Sequence, residues 1–324
     1  MASLDRRFCI APMIDCTDRH ARYFLRLFSR RMLLFTEMIT TAAIEHGDRD
    51  RLLGFDPSEH PVALQLGGAD PAALAAAARV GEAFGYDEIN LNVGCPSDRV
   101  QSGAFGACLM REPGRVAECV RAMKDAVSIP VTVKHRTGVD EQDSWEELQA
   151  FVETQIEAGV DALYLHARKA WLQGLSPKQN REIPPLHYDW AYRLQDLYPD
   201  TPIILNGGIR SLDECEEHLK HMAGVMLGRE PFANPWILHE VDARIYGESS
   251  QPTVTRREIL ERYFPYVEAL LQQGQPLTRV IKHILGLYHG RPGGKRWRRF
   301  LSEQGYRPGA GVHTLEKSLE LVKD

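Results

Sequence analysis

One cysteine in the sequence stands in a setting that suits a proton donor. Cys95 lies between Gly94 and Pro96. Pro96 fixes its own φ and disfavours the helical conformation for the residue before it, so the Cys95 thiol is held in one direction. Gly94 leaves room beside the thiol for a planar group. A thiol without a nearby base stays mainly protonated near neutral pH, which favours a general acid over a nucleophile, although a buried, unreactive cysteine fits the same residues.

Three further polar residues, Lys134, Gln65 and His166, each end a strand-like apolar run. A lysine that points into an apolar interior is costly unless it faces negative charge, and a reduced flavin carries such a charge. The Gln65 amide can both donate and accept, which suits the polar edge of a flavin ring. His166 could bond a phosphate or a ribityl group. The structural alternatives are a lysine that reaches solvent, an amide bonded to backbone and a histidine that bridges two elements.

Two glycine-containing segments at the ends of successive strand candidates suit a phosphate site. Gly207-Gly208 follow one strand candidate, and Gly228-Arg229 follow the next. Backbone N–H groups without neighbouring side chains can approach an anion closely. Either segment alone is compatible with a simple turn. Together, at neighbouring strand ends, they predict phosphate binding.

The elements that must position these residues alternate along most of the chain. Short apolar runs rich in β-branched residues are separated by helical patterns, which predicts a parallel sheet covered by helices. The eight strand candidates are Phe8–Met13, Leu33–Thr36, Val62–Leu66, Glu88–Leu91, Val131–Lys134, Ala162–His166, Ile203–Asn206 and Gly224–Leu227. The clearest helical patterns are Pro71–Phe84, Arg115–Ala126, Ser144–Ala158 and Ser211–His221. Eight such repeats favour a (β/α)8 TIM barrel, in which all the polar strand ends share one rim; an open doubly wound sheet is the alternative.

The alternation stops after Trp236. The remaining patterns predict helices joined by Gly and Pro breaks, at Thr255–Gln273, Leu277–His289, Lys295–Glu303 and Val312–Lys323. We therefore expect an α/β fold in two domains. Residues 1–240 form a catalytic TIM barrel, and residues 241–324 form a small all-helical domain.

Charge is distributed unevenly along the chain. The net charge is −5, but residues 241–324 carry 14 Lys and Arg against 9 Asp and Glu, so the other 240 residues sum to −10. A basic end on an acidic body can steer a polyanion to one face. The stretch from Pro276 to Ser302 has no acidic residue, and Trp297 within it is a candidate for stacking on a base. Its seven cations are Arg279, Lys282, Arg291, Lys295, Arg296, Arg298 and Arg299.

Several classes of protein are disfavoured by the same residues. No apolar run is long enough to cross a bilayer, and the start of the chain does not resemble a secretion signal, so we expect a cytoplasmic protein. The six cysteines contain no C-x-x-C pair, which argues against a zinc site, and we expect no metal and no disulfides. No G-x-G-x-x-G segment follows a strand, so a separate dinucleotide domain is not expected. The oligomeric expectation is a monomer.

Taken together, these motifs resemble those of the tRNA-dihydrouridine synthases. They occur in the family's order and extend across the whole predicted barrel. They are Ala11–Met13, Asn90–Ser97, Val133–Lys134, Leu165–Ala167, Leu205–Ile209 and Val225–Arg229. Two further segments, Lys169–Pro185 and Ser97–Met110, resemble the A subfamily, which modifies position 20 and in some members 20a of the tRNA D-loop.

The resemblance implies an FMN cofactor, reduced by NADPH, that passes hydride to uracil C6 while Cys95 protonates C5 from the other face. It implies that Asn92 contacts the substrate nucleotide. It also implies that the helical domain and the loop carrying Lys178 and Arg181 hold tRNA. Within the basic stretch we expect tRNA contacts from Lys295, Arg296, Arg298 and Arg299. The implied FMN contacts are Pro12, Met13, Ile14, Gln65, Lys134, His166, Asn206, Gly207, Gly208, Gly228 and Arg229.

This chemistry accounts for features that three alternatives leave unexplained. A base-modifying enzyme must take its target out of the stack, which needs a deep pocket and a polyanion surface. A flavin reductase of free pyrimidines or enones would not need the basic stretch. An aldolase would use Lys134 as a Schiff base and would hold no flavin. A non-catalytic RNA-binding module would not need the polar ring at the strand ends.

Overall fold

The computed structural model describes residues 4–97, 103–248 and 254–323. Within these ranges the chain forms nine strands, and every pairing between them is parallel. They are β1 (Phe8–Ile10), β2 (Leu34–Phe35), β3 (Ile39–Thr40), β4 (Val62–Gly67), β5 (Glu88–Val93), β6 (Val131–Arg136), β7 (Ala162–His166), β8 (Ile203–Asn206) and β9 (Gly224–Leu227). Residues 98–102, part of a segment that indicated the subfamily, lie outside the described ranges.

Eight of the described strands close into a barrel. Their order around the sheet is β1-β9-β8-β7-β6-β5-β4-β2. The ring closes through Leu33, whose N–H donates to the Phe8 carbonyl at 3.0 Å and whose carbonyl accepts from the Ile10 N–H at 2.9 Å. The closed ring confirms the predicted (β/α)8 barrel and excludes the open sheet. The short β3 was not predicted; it pairs with the end of β4, where Ile39 lies opposite Leu66.

Helices cover the outside of the barrel. In the described ranges they are α1 (Arg19–Arg26), α2 (Thr41–His46), α3 (Arg49–Leu53), α4 (Pro71–Ala83), α5 (Pro113–Lys124), α6 (Trp145–Glu157), α7 (Tyr188–Leu197), α8 (Leu212–Leu219), α9 (Arg229–Ala233) and α10 (Val241–Arg244). Several begin where the sequence supplies a cap. Asp70 accepts from the Ala73 N–H at the start of α4, and Ser144 forms a capping box with Glu147 at the start of α6.

The barrel interior has an apolar side and a polar side. Inward-facing residues of β1, β2, β7, β8 and β9 form an apolar cluster that includes Phe35, Tyr164 and Met226. Strands β5 and β6 turn buried polar side chains inward instead, as does β4 after its inward-facing Ala63. These are Gln65, Glu88, Asn90, Asn92 and Thr132. Since alternate residues of a strand share a face, the apolar side chains between them pack outward against the helices.

The C-terminal region is helical, as predicted. Its helices are α11 (Arg256–Gln272), α12 (Thr278–Ile284), α13 (Gly294–Gln304) and α14 (Val312–Ser318). Helix α11 packs on the barrel through aromatic rings: Tyr266 stacks on Tyr23 with ring centroids 4.0 Å apart, and Tyr263 lies 5.2 Å from Phe24. The domain boundary at residue 240 remains a prediction. The described helices include none that is both long and apolar enough to span a bilayer.

Helix α12 is joined to the barrel by charge. The Asp18 carboxylate caps α1 and also pairs with Lys282 at 2.8 Å and with His283 at 2.9 Å. These contacts, together with capping bonds from α1, hold the pKa of Asp18 well below its usual range even though burial alone would raise it. The helical region and the barrel therefore meet at a fixed interface.

Candidate active site

A cleft of ≈1690 Å³ opens at the carboxyl ends of the barrel strands. Its walls come from the strand-end loops and from residues of α11 and α12, including Tyr266, Leu270 and Lys282. The predicted site residues that line it are Pro12, Met13, Ile14, Gln65, Asn92, Cys95, Lys134, His166, Arg181, Asn206, Gly207, Gly208, Gly228 and Arg229. The ones that do not line it are Lys178, Lys295, Arg296, Arg298 and Arg299. The structure thus gathers every predicted flavin contact and the predicted proton donor at one place.

Cys95 is half-buried in the loop that follows β5. Its backbone is fixed on both sides, because its N–H donates to Asn92 Oδ1 at 3.0 Å and its carbonyl accepts from the Ala107 N–H at 2.9 Å. Its thiol lies 3.5 Å from the Ser97 hydroxyl. Ser97 was part of the recognised motif, but its proximity to the thiol was not predicted. The loop therefore holds the thiol in one position at the cleft wall.

Lys134 points from β6 into the cleft, where its Nζ donates to Asn206 Oδ1 at 2.9 Å. Asn206 is oriented in turn by its bond to the Met226 carbonyl at 2.7 Å. No carboxylate in the described ranges pairs with Lys134, and burial with the nearby Arg136 guanidinium lowers its pKa to about 7. Burial and the nearby Arg136 and Lys134 cations also lower the pKa of His166 well below its usual value, which favours the neutral imidazole. This wall of the cleft is suited to an anion.

The glycine pair after β8 has no room for side chains. Gly207 and Gly208 have φ values of 111° and 80°. A Cβ on Gly208 would lie 2.4 Å from the Tyr188 hydroxyl oxygen, and one on Gly207 would lie 2.6 Å from a ring carbon of His166. The Tyr188 hydroxyl donates to the Gly207 carbonyl at 2.7 Å. Tyr188, which the sequence did not single out, therefore fixes the predicted phosphate loop from behind.

The second predicted phosphate segment is closely packed at its glycine, and its arginine is engaged in an ion pair. A Cβ on Gly228 would lie 3.2 Å from the Met13 sulfur, which places the segment against the loop after β1. Arg229 pairs with Glu182 at 2.6 Å, and both side chains are about half exposed. An anionic ligand would have to compete with Glu182 for this guanidinium.

Arg136 is a buried cation at the cleft wall that sequence reasoning did not select. Its side chain donates only to backbone carbonyls among its described partners, those of Gly94 at 2.8 Å, Lys169 at 3.1 Å and Asn180 at 3.0 Å. Burial lowers its pKa to about 10. Its place two residues after Lys134 on the same strand is the signal that could have identified it, because alternate residues share a face.

The loop after β1 is clamped from two directions. Asp15 adopts a left-handed conformation with φ of 63°, which is unfavourable for a residue with a side chain. Its N–H donates to Glu37 Oε1 at 2.5 Å, and its carbonyl accepts from Lys282 Nζ at 3.0 Å. Lys282 was predicted to belong to a polyanion surface. That remains a prediction; in the structure Lys282 also ties α12 to the loop that carries the predicted flavin contacts Met13 and Ile14.

The predicted tRNA contacts divide into two groups. Arg181 reaches the cleft, whereas Lys178 is exposed beside it on the same loop. The other four, on α13, are all exposed, and Arg299 pairs with Glu303 at 2.7 Å; they are Lys295, Arg296, Arg298 and Arg299.

Trp297 is fully buried against Tyr288, with centroids 4.9 Å apart, so the expectation that it stacks on a base is wrong. In the described residues no group of three or more His, Cys, Asp or Glu side chains is arranged to hold a metal ion.

The chain is similar to proteins of one family along almost its entire length. The family model described as dihydrouridine synthase matches residues 9–321. A protein of Escherichia coli (strain K12) named tRNA-dihydrouridine(20/20a) synthase is 56% identical over 319 residues, which cover 98% of this chain and 92% of that protein. Proteins of the same name from Xanthomonas campestris pv. campestris and Shewanella oneidensis are 53% and 54% identical, covering 98% and 99% of this chain and 94% and 95% of their own.

Among solved structures, 2-naphthoyl-CoA reductase in complex with 2-naphthoyl-CoA matches with a TM-score of 0.55 and 12% identity. The match covers 72% of this chain and 49% of that one. At this identity the likeness shows the fold alone, and it agrees with the closed barrel described above.

Proposed function

The chain belongs to the dihydrouridine synthase family, and from that premise we propose that it reduces uridine to 5,6-dihydrouridine at positions 20 and 20a of the tRNA D-loop. The reaction would use bound FMN, with NADPH as the reductant of the flavin. The observation that carries this proposal is that one cleft brings together residues far apart in the sequence. It is lined by Cys95, by Lys134 and by the glycine segments Gly207-Gly208 and Gly228-Arg229.

The residues present fit FMN. Gly207 and Gly208 have positive φ values, have no room for a Cβ and line the cleft, so a phosphate could approach their backbone without meeting a side chain on either residue. Lys134 has no carboxylate partner in the described ranges, and the negative charge of a reduced flavin would raise its lowered pKa again. Gln65, only 1% exposed, retains one amide hydrogen beyond its bond to Asn90.

The chain's own residues then have distinct tasks in uridine reduction. The chemistry that bound, reduced FMN would supply here is a hydride for uracil C6. Cys95 gives its thiol proton to C5, which completes the saturation of the bond. The side-chain oxygen of Asn92 accepts from the backbone N–H groups of Gly94 and Cys95, and its NH2 group donates to Gln65. One amide hydrogen therefore remains for the nucleotide. Arg181, which lines the cleft, would contact a phosphate or the base near the thiol. The cleft has walls from both the barrel and the helical region, which would shield a flipped nucleotide from water.

The tRNA itself would bind across the cleft mouth and the helical region. The exposed cations of α13 form a surface outside the cavity, whereas Lys178 and Arg181 flank the cavity entrance. A polymer that places one nucleotide in the cavity needs cationic surface outside it for the neighbouring phosphates, and these exposed side chains would supply it.

The direct test uses purified protein and tRNA that lacks dihydrouridine. We expect visible flavin absorbance, and NADPH-dependent formation of dihydrouridine at positions 20 and 20a, mapped by mass spectrometry. Protein that stays colourless after reconstitution with FMN contradicts the flavin assignment. Equal activity on free uridine and on tRNA would identify a reductase of free pyrimidines, the alternative that shares the same cleft chemistry. Dihydrouridine at other tRNA positions would overturn the positional part alone.

A further inference from the structure

A line of buried polar side chains crosses the barrel interior and ends at the Cys95 loop. It starts at Glu88, the first residue of β5, which is fully buried and accepts from Arg6 Nε at 2.7 Å. The Thr132 hydroxyl donates to Glu88 Oε1 at 2.6 Å, and the Asn90 amide nitrogen donates to the Thr132 hydroxyl at 2.9 Å. Alternate strand residues share a face, which places Glu88 and Asn90 on the same inner wall.

The line continues toward the cleft through two more amides. Gln65 Nε2 donates to Asn90 Oδ1 at 2.8 Å, and Asn92 Nδ2 donates to Gln65 Oε1 at 2.9 Å. Asn92 Oδ1 accepts from the backbone N–H groups of Gly94 at 3.2 Å and Cys95 at 3.0 Å. A continuous series of hydrogen bonds thus joins the buried carboxylate to the backbone of the proposed proton donor.

The charge at the start of the line decides the direction of every bond in it. An ionised carboxylate only accepts, so Thr132 donates to Glu88 and accepts from Asn90. The Thr132 hydroxyl also lies 3.4 Å from the Ile89 carbonyl, but the shorter bond to a charged acceptor is the stronger one. Each amide that follows turns its oxygen toward the cleft, and the last oxygen, on Asn92, meets two N–H donors. A reversed amide there would place NH2 against N–H.

We propose that Glu88 and Thr132 are positioning residues for Cys95, because they hold Asn92 in the orientation that fixes the loop and aims the thiol. Barrel interiors are ordinarily filled with apolar side chains, and a buried polar network is costly unless every member keeps its partner. Orientation of the loop gives this network a use beyond filling space. The inference rests on the proposed function, since it takes Cys95 as the proton donor.

Thr132→Val tests the proposal, because it keeps the side-chain shape and removes the only hydroxyl through which the line passes. Tyr164→Phe is the matched control: the Tyr164 hydroxyl also donates to Glu88 Oε1, at 2.9 Å, but lies beside the line. Thr132→Ser restores the hydroxyl. For each full-length variant at saturating FMN, three quantities are measured: flavin reduction by NADPH, kcat for dihydrouridine formation on tRNA, and amide hydrogen exchange at Gly94 and Cys95.

We expect Thr132→Val to lower kcat on tRNA about 10- to 100-fold, to leave flavin reduction unchanged and to speed amide exchange at Gly94 and Cys95. Thr132→Ser and Tyr164→Phe should retain wild-type kcat and amide protection. Equal kcat in Thr132→Val and Tyr164→Phe, or unchanged exchange in Thr132→Val, overturns the proposal. Should Thr132→Val fail to hold FMN, the exchange comparison with Tyr164→Phe decides alone. Wild-type protein that does not modify tRNA would instead refute the proposed function, and the exchange result would stand apart from it.

Discussion

At the scale of single residues, Lys134 carries a charge that no carboxylate in the described ranges balances. Burial lowers its pKa from 10.5 to about 7. The unfolded chain therefore binds a proton that the folded protein lacks between these two values, and stability rises with pH across that window. Below about pH 7 Lys134 is charged in the folded protein, and burial of the charge lowers the free energy of unfolding by its full amount. Above about pH 10.5 Lys134 is neutral in both states, and this effect is absent.

We therefore predict that Lys134→Met raises the free energy of unfolding of flavin-free protein at pH 7 and below. The difference from wild type should shrink as the pH rises from about 7 to about 10.5. Urea unfolding at a series of pH values measures it. Lys178→Met is the control, because Lys178 is exposed. A pH-independent difference between Lys134→Met and wild type would contradict the lowered pKa, because it would mean that Lys134 has the same pKa in the folded and unfolded states.

Cys95 is predicted to act only in the chemical step. Cys95→Ala should retain FMN and tRNA affinity and should lose uridine reduction about 10²- to 10⁴-fold, the usual contribution of a general acid. Cys108→Ala serves as the control, since Cys108 is also half-buried but lies outside the cleft. Single-turnover measurements with pre-reduced protein isolate the step. Wild-type turnover by Cys95→Ala would remove the thiol from the mechanism.

The residues that could be predicted from the sequence are those at strand ends, because a barrel brings all its strand ends to one rim. Tyr188 and Arg136 were not predicted. Tyr188 acts on a glycine 19 positions away, and Arg136 on a glycine 42 positions away. Such pairs depend on the geometry of loops, which periodicity does not encode. Glu88 was assigned to a strand, but its ion pair with Arg6 was not predicted, because the two residues are 82 positions apart in the sequence.

At the scale of elements, the glycine loop after β8 gives a prediction with an internal control. Gly208 and Gly174 have nearly equal φ values, 80° and 81°, so alanine at either position suffers the same backbone strain, about 1–2 kcal/mol. Only at Gly208 would the new Cβ clash with neighbouring side chains, whereas nothing lies within 4 Å at Gly174.

We expect Gly208→Ala to lose more unfolding free energy than Gly174→Ala, by about 1–3 kcal/mol, the usual range for overpacking. It should also weaken FMN binding, because relief of the clash moves the loop. Gly174→Ala should bind FMN normally. Thermal unfolding and flavin titration of the pair give both quantities. Matching FMN affinities would show that the loop does not contact the cofactor.

Strand prediction succeeded best where apolar runs are short and bounded by turn residues. The bounds of β7, β8 and β9 agree with prediction, whereas β5 and β6 run two residues further than predicted because their polar ends still pair. Helices α1 and α7 were not predicted. The buried face of α1 includes Arg22 and Arg26, which bond Glu59 and backbone carbonyls, so its apolar pattern is interrupted. Trp297 shares a helical face with Leu301, and that spacing marks it as core.

At the scale of the whole molecule, α13 presents the exposed cations expected to follow tRNA phosphates. Replacing Arg296, Arg298 and Arg299 by Ala should weaken tRNA binding and reduce its salt dependence, by about 0.7–0.9 in log–log slope for each phosphate that the protein no longer neutralises. FMN affinity should not change. Fluorescence titration at several salt concentrations measures the slope.

The control for α13 is the pair Arg79→Ala and Arg121→Ala, exposed arginines on the outer helices α4 and α5. Removing these charges should leave the slope unchanged. A slope that falls by the same amount per removed charge in both variants would mean that α13 acts through net charge and not through direct binding of phosphates. Because Glu303 already engages Arg299, the single variant Arg299→Ala should have the smallest effect of the three.

The bond from Lys282 to the Asp15 carbonyl has a consequence for how such enzymes diversify. A change in tRNA preference could be sought by exchanging the helical region between relatives, as if it were a separable module. That region supplies a side chain to the loop beside the predicted flavin site, and Lys282 also pairs with Asp18. Recombination that separates these partners would disturb redox chemistry along with RNA choice, so chimeras should inherit Asp18 and Lys282 together.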